Sequence, residues 1–219
     1  DLGDNYSLLQ VMSRFGLSLG FGDKTVKEVC EMNNVDCQTF LVVVNFMAEG
    51  FSRMDGSADD ISIPALVDYL RQAHIYFLDY CLPAIRRKLI EAIDCSQDDV
   101  SFLILKFFDG YMREVRKHME YEEKTVFKYV DTLIHGNAPK NYQISTFSKH
   151  HDQVGERLTE LKNIIIKYCP AKANTNVLNA ALFDIYACEE GLESHCKVED
   201  YLFVPAILKL ERRMRENEK

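Results

Sequence analysis

Proline and glycine are scarce in this chain, five and ten among 219 residues. No stretch alternates apolar and polar residues over the length of a strand, so everything long reads as helix. No apolar run approaches the roughly 20 residues that a membrane span needs, and no membrane segment is expected. Positive charge is in short supply, 26 Lys and Arg against 34 Asp and Glu, for a formal charge of −8. A general nucleic-acid binder needs a basic face, so no nucleic-acid partner is expected. The seven cysteines are an odd number, and none stands in a CxxC or other zinc-ribbon spacing. With no signal peptide in view, reduced thiols in a cytoplasm are the expectation. Familiar catalytic signatures are missing as well. There is no E-x-x-H of a ferritin-like carboxylate site, no H-E-x-x-H of a zinc protease, no G-x-S-x-G elbow and no phosphate loop.

What is present is an ordinary globular composition, 47% apolar and 27% charged, and enough chain for one bundle-sized core with a small extra module. Residues 1–50 carry short helical signals. Thr25 opens "TVKEVCEM" as an N-cap, "NNVD" is a turn, and "CQTFLVVVNFM" follows as a second helix. Residues 51–61 are polar and contain glycine, which marks a linker. From residue 62 to 219 the pattern becomes four long helices, about 63–93, 97–134, 142–168 and 175–214. "HGNAPKN" and "CPAKANT" break the second from the third and the third from the fourth. The fold class expected is all-α, an up-down-up-down four-helix bundle preceded by a small helical domain.

Two phrases in the long helices read almost alike: "HMEYEEKTVF" from His118 and "HCKVEDYLFV" from His195. Each has a glutamate four residues after the histidine, a second acid next to it, and an apolar run. A bundle helix buries a seam spaced alternately three and four residues apart. The first helix puts Ile63, Val67, Leu70, His74, Phe77, Cys81 and Ala84 on that seam. The second puts Ile104, Phe108, Tyr111, Val115, His118, Glu122, Thr125 and Tyr129 there. The third has Ile144, Phe147, His151, Val154, Leu158, Leu161 and Ile165, and the fourth Ala181, Ile185, Cys188, Leu192, His195, Glu199, Leu202 and Ala206. Every helix thus places one histidine on its core seam, and the two repeated phrases each add a glutamate one turn on.

A single histidine on an apolar face is ordinarily a satisfied core residue. Four of them with two glutamates on the same seams are not, because an unpaired buried carboxylate is very costly and two facing each other would be worse. Something positive should lie between them. Counting residues at about 1.5 Å of rise each, His74 and His118 meet at similar heights in an antiparallel bundle, as do His151 and His195. The i, i+4 step keeps His and Glu on one face, so an imidazole can take one ion while the carboxylate reaches a second. Four imidazoles and two carboxylates make a dinuclear metal site, with nitrogen and oxygen donors that suit iron, manganese or zinc. His150 falls off the seam, and His135 in "HGN" reads as a helix-end residue. Glu123 and Asp200, directly after the two glutamates, read first as solvated and second as groups that orient the ligands.

These motifs carry a resemblance. His74, "H-x-x-x-E" at His118 and Glu122, "H-D-x-x-G" from His151 to Gly155, and "H-x-x-x-E" at His195 and Glu199 with the trailing "FVP" resemble the hemerythrin-like HHE cation-binding domain. Within that group the sequence is most similar to the repair-of-iron-centres proteins, over residues 62–215. The resemblance implies a non-haem di-iron centre with an oxo or hydroxo bridge, His74, His118, His151 and His195 as terminal ligands, and Glu122 and Glu199 bridging. It implies a role in the nitric-oxide and oxidative-stress response, assisting iron–sulfur cluster repair or handling nitrogen oxides. The partners it implies are nitric oxide or oxygen and iron–sulfur proteins. A sensor or regulatory metal-binding module is the alternative. Oxygen carriers of the hemerythrin type have more histidine at the centre, so simple oxygen transport is not expected. The N-terminal "FGLSLGFGDKTVKEVCEMNNVD" also resembles that family's small helical domain, which has an adjacent Cys-Cys before the lysine. Here that place reads Gly20-Phe21, and Cys30 and Cys37 lie further on. The domain is therefore expected to serve interaction or homodimer formation rather than thiol chemistry.

Overall fold

The structure is a computed structural model, and it describes residues 6–49, 61–93, 99–137, 139, 142–149, 156–170 and 173–217. Among them there is no strand. The all-α expectation holds. The order is α1 (Tyr6–Arg14), α2 (Val26–Met32), α3 (Cys37–Glu49), α4 (Ile63–Ile75), α5 (Leu82–Ala92), α6 (Asp99–Tyr121), α7 (Phe127–Ile134), α8 (Glu156–Tyr168), α9 (Thr175–Val198) and α10 (Val204–Asn217). Three of the joins are not breaks. A π-helical turn carries α4 into α5 over Tyr76–Cys81, α6 into α7 over Glu122–Val126, and α9 into α10 over Glu199–Phe203. The long helices expected over 63–93, 97–134 and 175–214 are these three runs.

The helix expected over 142–168 is different: Ile144–Lys149 is a 3-10 helix, and the α-helical part is α8. The segment "QISTFSK" holds three Ser and Thr residues, whose side chains compete for backbone hydrogen bonds and weaken an α-helical start. α1 was not read from the sequence at all. The linker expected over 51–61 lies outside the described residues up to 60, and so do His150, His151 and Gly155.

By contacts the chain divides into two compact units. One comprises residues 1–73, 126–148 and 194–219. Here Thr25 caps α2 as expected, in a full capping box: its amide donates to Glu28 Oε2 at 2.7 Å and its hydroxyl accepts from the Glu28 amide at 3.3 Å. Asp36 does the same for α3, accepting from the Thr39 amide at 2.8 Å. Val11, Met12, Val29, Cys30, Phe40 and Val43 are buried within these three helices. They are tied to the start of α4. The Ser62 amide donates to Thr39 Oγ1 at 2.8 Å, Phe15 packs on Tyr69 with ring centroids 4.9 Å apart, and buried Arg14 donates to the Tyr69 hydroxyl at 3.3 Å. Elsewhere in this unit Phe203 meets Phe127 and Phe147 edge-on. Buried Glu211 of α10 accepts from the Tyr129 hydroxyl at 2.6 Å and the Ile144 amide at 2.9 Å, and pairs with Arg215 at 3.2 Å. A buried carboxylate is tolerable only with partners of this kind. Gly136, at φ +82, takes the left-handed conformation that closes α7 at "HGN".

The other unit comprises residues 74–125 and 149–193. Its α6 packs on α5 and α8; Ile104, Phe108, Tyr111, Val115, Leu158, Leu161 and Ile165 are buried as the seams require, and Ile85 and Leu89 of α5 are buried as well. Ion pairs flank this core. Arg86 grips Asp109 with two bonds, 2.6 and 3.1 Å, and Lys88 pairs with Asp184, Arg157 with Glu114, and Lys162 with Glu189.

Candidate metal centre

The chemistry-bearing residues sit where the helices change pitch. His74 is the penultimate residue of α4, two before the start of a π turn, and Glu122 and Glu199 are each the first residue of one. A π turn holds one residue more than the i→i+4 ladder allows and costs hydrogen-bond geometry, which is why such turns concentrate at functional sites. The extra residue shows in the burial. The seam read from the sequence puts Ala84, Thr125 and Ala206 in the core, but all three are only half-buried. The buried residues are their successors Ile85, Val126 and Ile207. Three helices slip by one residue, inside the turn at Val126 and just past it at Ile85 and Ile207.

In the unit holding residues 74–125, four of these side chains converge. Glu122 has no exposed surface; its Oε2 lies 2.9 Å from His74 Nε2 and its Oε1 2.8 Å from His118 Nε2. His74 is buried and His118 half-buried. On the opposite edge of the His74 ring, Nδ1 lies 2.9 Å from Glu123 Oε1. Burial opposes a charge on His74, but the bonds to Glu122 and then Glu123 outweigh it and raise its pKa above the ordinary imidazole value. A ring gripped by two carboxylates holds its proton more firmly than a free imidazole does.

In the other unit the second copy of the phrase repeats the arrangement. His195 and Glu199 are both buried, and His195 Nε2 lies 3.3 Å from Glu199 Oε1. Asp200, the counterpart of Glu123, is half-buried. His74 and Glu122 in one unit and His195 and Glu199 in the other are all buried, and each offers a ligand atom for a metal ion. Imidazole nitrogen and carboxylate oxygen without thiolate is a donor set for iron, manganese or zinc, so the residues present fit such an ion.

Of the six residues expected from the sequence, the structure describes five: His74, His118, Glu122, His195 and Glu199. His151 lies outside the described residues. His135 is where expected, exposed at the end of α7, with its Nδ1 on the Asp131 carbonyl at 2.8 Å. The sequence reads Glu123 first as solvated and second as a group that orients a ligand, and its bond to His74 at 2.9 Å fits the second. The sequence had no sign of the π turns beyond the second acid that follows the glutamate in both phrases.

Two of the described cysteines hold their thiol protons firmly. Burial, with a hydrogen bond to Cys37, pushes the Cys30 thiol up to about 11. The buried Cys188 thiol is raised well above its ordinary value by its bond to Cys81 and by burial. Such thiols are poor nucleophiles.

No curated protein matches the chain. A family model does: that of the hemerythrin HHE cation binding domain, over residues 65–207.

Proposed function

Because the chain belongs to the hemerythrin HHE cation binding domain family, and is a helical metal-binding module, we propose that it is a non-haem di-iron protein. The ligands in this reading are His74, His118, Glu122, His151, His195 and Glu199. The observation that carries it is the repeated His–Glu pair, whose glutamate is fully buried and opens a π turn in each copy. Six side chains exceed what one ion ordinarily takes from a protein, hence two ions. Bound iron would supply redox chemistry and open positions for a diatomic ligand such as nitric oxide or oxygen. The chain's own residues do the rest. Glu122 presents one oxygen toward each of two imidazoles, which is the geometry of a carboxylate that spans two ions. Glu122 and Glu199 have no exposed surface, and a carboxylate kept from bulk water holds a cation more strongly.

The physiological role follows from the same reading: a cytoplasmic part in the nitric-oxide and oxidative-stress response, assisting iron–sulfur cluster repair or handling nitrogen oxides. Its support is the N-terminal stretch from Phe15 to Asp36 that resembles the small domain of the repair-of-iron-centres proteins. Elemental analysis of natively loaded protein, with an optical spectrum before and after reduction, tests the centre. About two irons per chain and a spectrum that changes on reduction are expected. One ion or none in folded, loaded protein refutes it.

A further inference from the structure

We propose that Glu123 is the positioning residue of His74. Its carboxylate accepts the Nδ1–H of the ring and so commits the Nε2 lone pair to the metal. The inference rests on the reading of His74 as a ligand, and adds to it a residue outside the six.

Three observations carry it. First, His74 is held from both edges of one ring: Nε2 at 2.9 Å from Glu122 and Nδ1 at 2.9 Å from Glu123. An imidazole donates from only one nitrogen when the other ligates a cation. Glu122, with a second oxygen on His118, stands on the ligating edge. The Nδ1–H therefore has to go to Glu123, and that bond sets which nitrogen faces the ion. Second, the ring is buried while the Glu123 side chain is 35% exposed, so the carboxylate keeps water as a second partner and bears its charge without the full cost of burial. Third, Glu123 comes from a different helix, 49 residues on. It fixes the plane of the ring against α6, which the rotamers of His74 alone cannot do. Glu122 and Glu123 are successive residues of one π turn, so a single stretch of backbone sets both the ligand and the hand that steadies its neighbour.

The test uses the full chain and zinc(II), a diamagnetic probe. Zinc affinity is read by chelator competition for the parent, Glu123→Ala, Glu123→Gln and His74→Ala. The His74 ring protons are followed by nitrogen-edited NMR of the zinc-loaded protein. The expected outcome is a loss of about 10- to 100-fold in affinity for Glu123→Ala, the range for removing such an outer partner. Glu123→Gln, whose amide oxygen still accepts a hydrogen bond, should recover most of it. The parent and the Gln variant should show a slowly exchanging Nδ1–H on His74, and the Ala variant should not. A Glu123→Ala protein that binds zinc like the parent, or that keeps the protected Nδ1–H, overturns the assignment of Glu123 alone. A parent that binds zinc no better than His74→Ala overturns the reading of His74 as a ligand, and this inference with it.

Discussion

Glu122 is the residue on which most depends, because one carboxylate with no exposed surface answers to two imidazoles. Changing it to alanine leaves His74 and His118 without the group that holds both. Glu122→Ala and Glu199→Ala are each expected to lose about one metal ion per chain or more after desalting. His135→Ala, exposed and bonded only to its own helix, is expected to lose none. Equal metal content in all three would refute the ligand assignment. At this scale the sequence was informative, because a charged residue on an apolar seam is conspicuous: Glu122, Glu199, His74 and His195 stand out by being where burial is costly. Glu123 does not stand out. A residue next to a seam ligand belongs to the helix flank if the pitch is α. Only the widened turn that begins at Glu122 brings its neighbour round to the His74 ring.

The π turns explain what the sequence could not show about the elements. A three-four seam assumes 3.6 residues per turn, and one inserted residue turns everything beyond it by about 100°. Hence Ala84, Thr125 and Ala206 were expected in the core, and Ile85, Val126 and Ile207 occupy it. Upstream of the second and third turns the seams hold residue for residue, from Ile104 to Val115 and from Ala181 to Leu192. Hydrophobic periodicity reads both stretches well but not the phase between them. Deleting exposed Lys124 tests what the extra residue is for. Val126 and Phe127 would then stand three and four residues after Glu122, both still on the α seam, and the pair lost is the exposed one between Lys124 and Glu120, which solvent screens down to little effect. The metal-free deletion variant is expected to melt no lower than the parent, yet to bind metal at least about tenfold more weakly, as when support for a ligand is removed. A variant that folds and binds metal as the parent does would show the turn to be incidental.

For the whole chain, the metal is part of the stability. An ion that binds only the folded state at a hundred times its dissociation constant adds about 2.7 kcal/mol. For a chain of 219 residues that is a rise of roughly 5–10 °C in melting temperature. Calorimetry should find it on loading and lose it on chelation. The fold class was legible because proline and glycine are few and the apolar period is helical throughout. The join between the small helices and α4 was not legible. Phe15 on Tyr69 and Ser62 on Thr39 are contacts between distant residues that no local pattern encodes.

Glu211, with the Tyr129 hydroxyl at 2.6 Å, also decides how the protein meets alkali, and light can report it. The chain has eleven tyrosines and no tryptophan, so its near-ultraviolet absorbance belongs to phenol, and the shift to longer wavelength on ionisation is unobscured. Burial, then the bond to the Glu211 carboxylate, raises the Tyr129 pKa far above the ordinary phenol value. The folded chain therefore keeps a proton that the unfolded chain gives up. The stability this lends is whole below about pH 10, where an unfolded tyrosine ionises, and drains away as the pH climbs from there toward the folded value. In an alkaline titration Tyr129 should stay colourless, in this sense, at a pH where an unfolded tyrosine has already turned. Its absorbance should arrive late, in one step, together with the loss of helix.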